Sequence, residues 1–155
     1  MKDIKRCCFS GHSAIYNTNI YNRVEPIIEK MILEHNVREF LIGDYGGFYL
    51  RAAEAVKRLK EVYPDITLGL VVPCLTEAVD DYTEFYHKFY DYILTVDMPE
   101  NTPKNHIISK INEYMVNHSD YMVCCIQHDY LETVAVYEYA KGKNINIVNI
   151  TTQYI

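Results

Sequence analysis

The chain has 155 residues, 49% hydrophobic and 23% charged, which is a globular composition. Fifteen basic against 21 acidic residues give a net charge of −6, and there is no Lys/Arg block; nucleic acid, whose non-specific affinity draws on such blocks, is therefore not expected as a partner. No apolar run approaches the ~20 residues of a membrane span and no signal-peptide core is present, so a cytoplasmic protein with no membrane partner is expected.

In chain order, residues 4–9 read as a strand, broken by Ser10-Gly11-His12-Ser13. Residues 23–36 read as a helix with Val24, Ile27, Ile28, Met31 and His35 on one face, Asn22 as its cap, and Glu25 three residues on. Residues 37–43 form a buried strand, and 48–63 a helix whose inner face carries Ala52, Val56, Leu59 and Tyr63. A third strand spans 66–73 and stops at Pro73. Tyr82, Phe85, Tyr86 and Phe89 then recur at helical spacing, which reads as a core stripe. A fourth strand covers 92–97. The next helix, 103–118, turns Ile108, Ile111 and Met115 inward, and a fifth strand covers 121–126. The last helix is 131–141 with Gly142 as its C′ stop, and the last strand is 145–150.

Near-continuous apolar strands alternating with amphipathic helices predict an α/β, Rossmann-like three-layer sandwich with a mainly parallel sheet of about six strands. No linker or repeat divides the chain, so one domain over residues 1–155 is expected. Of the five cysteines, Cys7-Cys8 and Cys124-Cys125 are adjacent pairs within strands. Their side chains therefore point to opposite faces and do not chelate one metal. They read as small buried hydrophobes, with no metal site. No cofactor is expected. Fifteen tyrosines make a homo-oligomer with a tyrosine-rich contact the expected assembly.

An open parallel sheet binds ligands beyond the carboxyl ends of its strands. That edge carries Ser10, Gly11, His12 and Ser13 after the first strand, and Gly43, Asp44, Gly46 and Gly47 after the second. Asp97 follows the fourth strand. Gln127, His128, Asp129, Tyr130, Leu131, Glu132 and Thr133 follow the fifth. A glycine loop entering a helix lets main-chain N–H groups approach a phosphate or carboxylate. Arg51, in the first turn after the second loop, reads as a solvated helix residue.

The stretches CCFSGHSAI, FLIGDYGGFYLRAAEAVKRLKEVYP, LVVPC, NEYMVNHSDYMVCCI and VYEYAKGKNINIVNI together resemble the YpsA-like branch of the SLOG superfamily. These are Rossmann-like relatives of the LOG nucleotide phosphoribohydrolases and of DprA. The resemblance implies a nucleotide- or nucleoside-derived ligand held by the loops just named. Departures from the usual pattern accompany it. Ser13 stands where arginine follows Gly-His, Tyr49 where aspartate follows Gly-Gly-Phe, and Ile111 where arginine precedes Asn112. Thr133 matches the threonine of a Gly-Gly-Thr motif, but Leu131 and Glu132 replace both glycines, so the second glycine motif is degenerate.

Like charges about 4 Å apart cost roughly 4 kcal/mol at an effective dielectric near 20, about a thousandfold in affinity. A helix dipole offsets only about 1 kcal/mol of that. Phosphate recognition in the family pose is thus weakened if Glu132 faces it; an outward Glu132 would instead favour its helix start. Three readings follow. The first is a binder of a nucleotide- or nucleoside-derived ligand with weakened phosphate recognition. The second is a hydrolase or transferase acting on an N-glycosidic bond, with Glu132 as the candidate catalytic carboxylate. The LOG-type Pro-Gly-Gly-x-Gly-Thr-x-x-Glu motif is absent, which counts against it. The third is a degenerate SLOG fold serving as an interaction protein.

Overall fold

The structure is a computed structural model that describes residues 3–11, 18–43, 47–73, 89–125 and 131–151. The elements are β1 (Lys5–Gly11), a 3-10 helix (Thr18–Arg23), α1 (Val24–His35), β2 (Val37–Ile42), α2 (Gly47–Val62) and β3 (Thr67–Pro73). They continue with β4 (Tyr92–Val96), α3 (Lys104–Asn117), β5 (Tyr121–Cys125), α4 (Leu131–Gly142) and β6 (Asn146–Asn149). All six strands pair in parallel in the order β4-β3-β2-β1-β5-β6. The fold is the expected Rossmann-like α/β sandwich.

The strand order reverses direction at β1. Chain progress from β1 through β2 and β3 to β4 runs one way along the sheet; from β4 the chain returns to β5, on the other flank of β1. Right-handed crossovers then put α1 and α2 on one face and α3 and α4 on the other. The two cores follow this division. Phe9, Phe40, Ile42, Leu70 and Val123 pack with α1 and α2, while Cys8, Leu41, Val71, Met122 and Cys124 pack with α3 and α4. Alternate residues of each strand serve opposite cores, as the pleat requires. Both faces being covered, the strands carry apolar runs rather than alternating ones.

Several local expectations are corrected. Asn22 does not cap α1; it lies inside the 3-10 helix that runs directly into α1, and Arg23 at the N-cap position is right-handed helical with no side-chain cap bond. His35 is exposed, with its ring 5.2 Å from that of Tyr121, and Ile32 takes the inward place. His35 is the last residue of α1, and a helix end need not stay packed on the face its spacing marks. The chain leaves α1 through Asn36 in the left-handed region (φ 56°), its N–H bonded to the Met31 carbonyl. Gly142 is not the C′ stop, because α4 runs through it; the left-handed residue is Asn144 (φ 58°). Most of the aromatic stripe, Tyr82, Phe85 and Tyr86, lies outside the described residues. Phe89 packs partly buried against the α1/α2 core.

At the amino edge of the sheet, Arg6 Nε donates to Glu39 Oε2 at 2.8 Å across neighbouring strands, and Asp120 Oδ2 accepts from the Arg6 main-chain N–H at 3.0 Å. Lys60 pairs with Asp91, whose second oxygen accepts from the Leu68 N–H at 2.7 Å and fixes the start of β4 against β3. These polar ties hold the edge opposite the candidate site.

Candidate functional site

The crevice expected of an open sheet lies where the strand order turns, here between the carboxyl ends of β1 and β5. Gly11 and Cys125 end those strands and sit opposite each other in register. Of the residues singled out from sequence, Ser10, Gly11, Gly43 and Gly47 are placed at this edge. Ser10 is buried on the α3/α4 side with Cys8 and Cys124 as strand neighbours, Gly43 directly follows β2, and Gly47 opens α2. Leu131, Glu132 and Thr133 form the first turn of α4, so the two positions that lost glycine are helical. His12, Ser13, Asp44, Gly46, His128 and Asp129 lie outside the described residues. Asp97 and Arg51 are exposed.

Gly11 has a packing reason to be glycine. A Cβ there would stand 2.5 Å from Phe48 Cδ1, 2.8 Å from its Cγ and 3.2 Å from Cys125 Cβ. Phe48 is fully buried in the first turn of α2, edge-on to Phe9 with centroids 6.4 Å apart. The bare backbone at position 11 is what lets α2 begin close over β1. The end of β1 and the opening of α2 are thereby held close together.

Beside Phe48, Tyr49 is 5% exposed and its hydroxyl donates to Asn112 Oδ1 at 3.3 Å. Asn112 is one of two buried polar residues of the described core, the other being Ser10. Tyr49 belongs to α2 on one face and Asn112 to α3 on the other. The bond therefore passes over the carboxyl ends of the strands and ties the two helix layers above the crevice. Both partners are neutral.

A cation stands nearby. Arg23 Nη1 donates to the carbonyl of Ile150 at 2.9 Å. Ile150 follows β6, and its N–H bonds the Cys124 carbonyl at 2.8 Å. Arg23 thus lies at the level of Cys125 and Gly11, on the α1/α2 face. Burial pushes the Cys125 thiol up to about 12, and the Arg23 guanidinium opposes that shift. Neither this arginine nor the Tyr49–Asn112 bond was read from sequence. Arg23 meets its partner 127 residues away and Tyr49 meets Asn112 63 residues away. One usable signal existed: an asparagine beside Ile111 and one turn from Met115, on an otherwise apolar helix face.

The buried cysteines offer no chemistry. Burial raises Cys7, Cys8 (to about 12) and Cys124, so all stay as thiols at neutral pH. Among the described residues no cluster of His, Cys, Asp and Glu could hold a metal. A recess of about 350 Å³, with Lys5, Asp120, Tyr121 and Lys143 in its wall, opens at the amino edge of the sheet. The carboxyl ends of α3 and α4 meet there, so their partial negative charges oppose the anion chemistry of a nucleotide.

No helix among the described residues is long and apolar enough to cross a membrane. The chain is similar to a UPF0398 protein of Halalkalibacterium halodurans, 28% identical over 103 residues and covering 63% of this chain. The chain spans about half the length of that relative, 54%. The family model described as YspA SLOG family matches residues 11–155, which run from the last residue of β1 through every later element, and the chain belongs to that family.

Proposed function

We propose that the protein binds a nucleotide- or nucleoside-derived small ligand at the carboxyl edge of the sheet, between β1 and β5, with phosphate recognition at the start of α4 weakened. The observation that supports the reading is the reversal of strand order at β1, where an open parallel sheet is expected to bind, with Gly11 ending β1 and with α2 and α4 opening after the strands on either side of it. Family membership supports a nucleotide-related ligand. Glu132 in the first turn of α4 supports the weakening. A carboxylate there competes with a phosphate for the same positive helix end.

The test is calorimetric titration of wild type and the double variant Leu131→Gly/Glu132→Gly with AMP and adenosine. Removing the charge should recover up to roughly 4 kcal/mol for AMP, less where water screens the site, and nothing for adenosine. The glycines should cost about 1 kcal/mol each in stability. Equal AMP affinity in wild type and a folded double variant would show that Glu132 does not face a phosphate. Native mass spectrometry of the freshly purified protein should show a retained small molecule; binding of neither AMP nor adenosine would end this reading.

A further inference from the structure

We propose that Asn112 selects the base of the ligand, its side-chain amide pairing with a heterocycle edge that sets an acceptor nitrogen beside an amino group, as adenine does. The inference rests on the ligand-edge reading above and adds what that edge recognises.

Asn112, 6% exposed, and Ser10, 2% exposed, are the two buried polar residues of the described core. Both belong to one region. Ser10 is the last residue but one of β1 and faces the α3/α4 core with its strand neighbour Cys124. The helix that carries Asn112, α3, packs against β1 and β3. Tyr49 joins Asn112 to the end of β1, because the residue before it, Phe48, is the ring that packs over Gly11.

Asn112 has hydrogen-bonding capacity to spare. An amide carries two N–H donors and a carbonyl oxygen with two lone pairs. The Tyr49 hydroxyl donates to Oδ1 at 3.3 Å, and Nδ2 has no acceptor among the described residues. Turning the amide over exchanges the roles and leaves the oxygen open, so one end lacks a partner in either orientation. A buried N–H without an acceptor is costly, and protein interiors avoid it. An acceptor on a ligand removes that cost at Nδ2, while the second lone pair of Oδ1 takes the donor beside it. The Tyr49 bond stays in place and fixes the plane of the amide.

The chemistry fits a base and not a phosphate. Asn112 is neutral, and a dianion is matched by a cation. A flat edge with an acceptor next to a donor is what an amide engages with two bonds at once, the pairing by which asparagine reads adenine. The hydroxyls of a ribose each donate and accept, so they make no demand for paired, unlike ends.

The experiment titrates wild type and Asn112→Leu with adenosine, AMP and purine riboside by calorimetry, with thermal melts of each free protein. Purine riboside is adenosine without its amino group. Leucine matches asparagine in shape and removes both hydrogen-bonding ends. Wild type should bind adenosine about 5- to 10-fold more tightly than purine riboside, the worth of one hydrogen bond. In N112L adenosine should weaken about 10- to 100-fold, and the two nucleosides should bind within about twofold of each other. A merely structural asparagine would lower the melting temperature and weaken both nucleosides alike; a wild-type ratio retained in N112L overturns the proposal. Equal binding of the two nucleosides by wild type overturns it as well. In both cases adenosine binding leaves the edge reading standing, whereas a wild type that binds neither adenosine nor AMP ends that reading and this one together. Should N112L not fold, the NMR signals of the Asn112 side-chain amide protons in wild type decide. A downfield shift on adding adenosine supports the proposal, and signals unmoved at saturating adenosine overturn it.

Discussion

Replacing Gly11 by alanine adds one methyl group at the most crowded point of the candidate site. Its Cβ would stand 2.5 Å from Phe48 Cδ1, whereas carbon atoms in contact sit about 3.5–4.0 Å apart. The ring must therefore retreat by about 1 Å. It has little room, being fully buried, edge-on to Phe9 and 6.1 Å in centroid from Tyr49. Overpacking of this kind costs about 1–3 kcal/mol. Alanine also restricts the unfolded chain, which returns about 0.4–1 kcal/mol. The backbone at Gly11 is not in the left-handed region, so no strain is added. The net expectation is a loss of about 1.3 kcal/mol at the middle of both ranges. For a chain of this length each kcal/mol lowers Tm by roughly 2–4 °C. Urea unfolding followed by circular dichroism measures it. The Phe48→Leu background supplies the control: a smaller side chain there should absorb the new methyl, so the two substitutions together should cost less than their sum. A Gly11→Ala protein as stable as wild type, or strict additivity in the cycle, would refute the packing argument. The glycine would then have to be explained by ligand approach alone.

Further outcomes are expected. Gly69→Ala places its Cβ 2.3 Å from the Tyr92 ring, but Tyr92 is half-buried on the edge strand and can swing outward, so the loss should be smaller than at Gly11 in the same urea assay. Tyr49→Phe should cost about 1 kcal/mol, and Asn112→Ala more, because it also opens a gap in the buried face of α3. Cys7, Cys8, Cys124 and Cys125 should resist a thiol reagent in the native protein at pH 8 and react once it is unfolded; native labelling of any of them contradicts their burial. The same thiols set an alkaline limit. Their folded pKa lies above the unfolded value, so their stabilising effect is complete below about pH 8.5 and is lost as pH rises toward 12, by up to about 1.4 kcal/mol per pH unit for each group. Urea midpoints that stay flat from pH 8 to pH 11 would contradict it.

The strands were legible because a parallel sheet covered on both faces leaves apolar runs that few other arrangements explain. FLI in β2 and LVV in β3 are of this kind, and their ends fall within a residue or two of the expected ones. Element ends were less legible. At Asn22, His35 and Gly142 a local rule pointed one way and the neighbouring chain another. A 3-10 turn preceded α1, the last residue of α1 lay exposed, and an asparagine took the left-handed turn after α4. Gly11 ends β1 and Gly47 opens α2, both at the carboxyl edge of the sheet. Spacing could not show that Gly11 answers to Phe48, nor that Arg23 reaches past β6, because each is decided by which strands become neighbours. Strand order is not written in any local period.

The bond between Tyr49 and Asn112 acts as a fastener between the two halves of the chain. Residues before β4 build one side of this edge and residues after it the other, and this neutral contact joins them above the strands, as the Arg23–Ile150 bond also does. A fastener of this kind is worth about 1 kcal/mol net, because water is ready to replace either partner. Undoing it is therefore cheap, while leaving both groups buried without a partner is not. An incoming molecule that offers a hydroxyl and an amide-like edge can exchange with it bond for bond. A purely apolar molecule of the same size cannot. A ligand at this edge is therefore expected to carry hydrogen-bonding groups of its own, before any charge is considered.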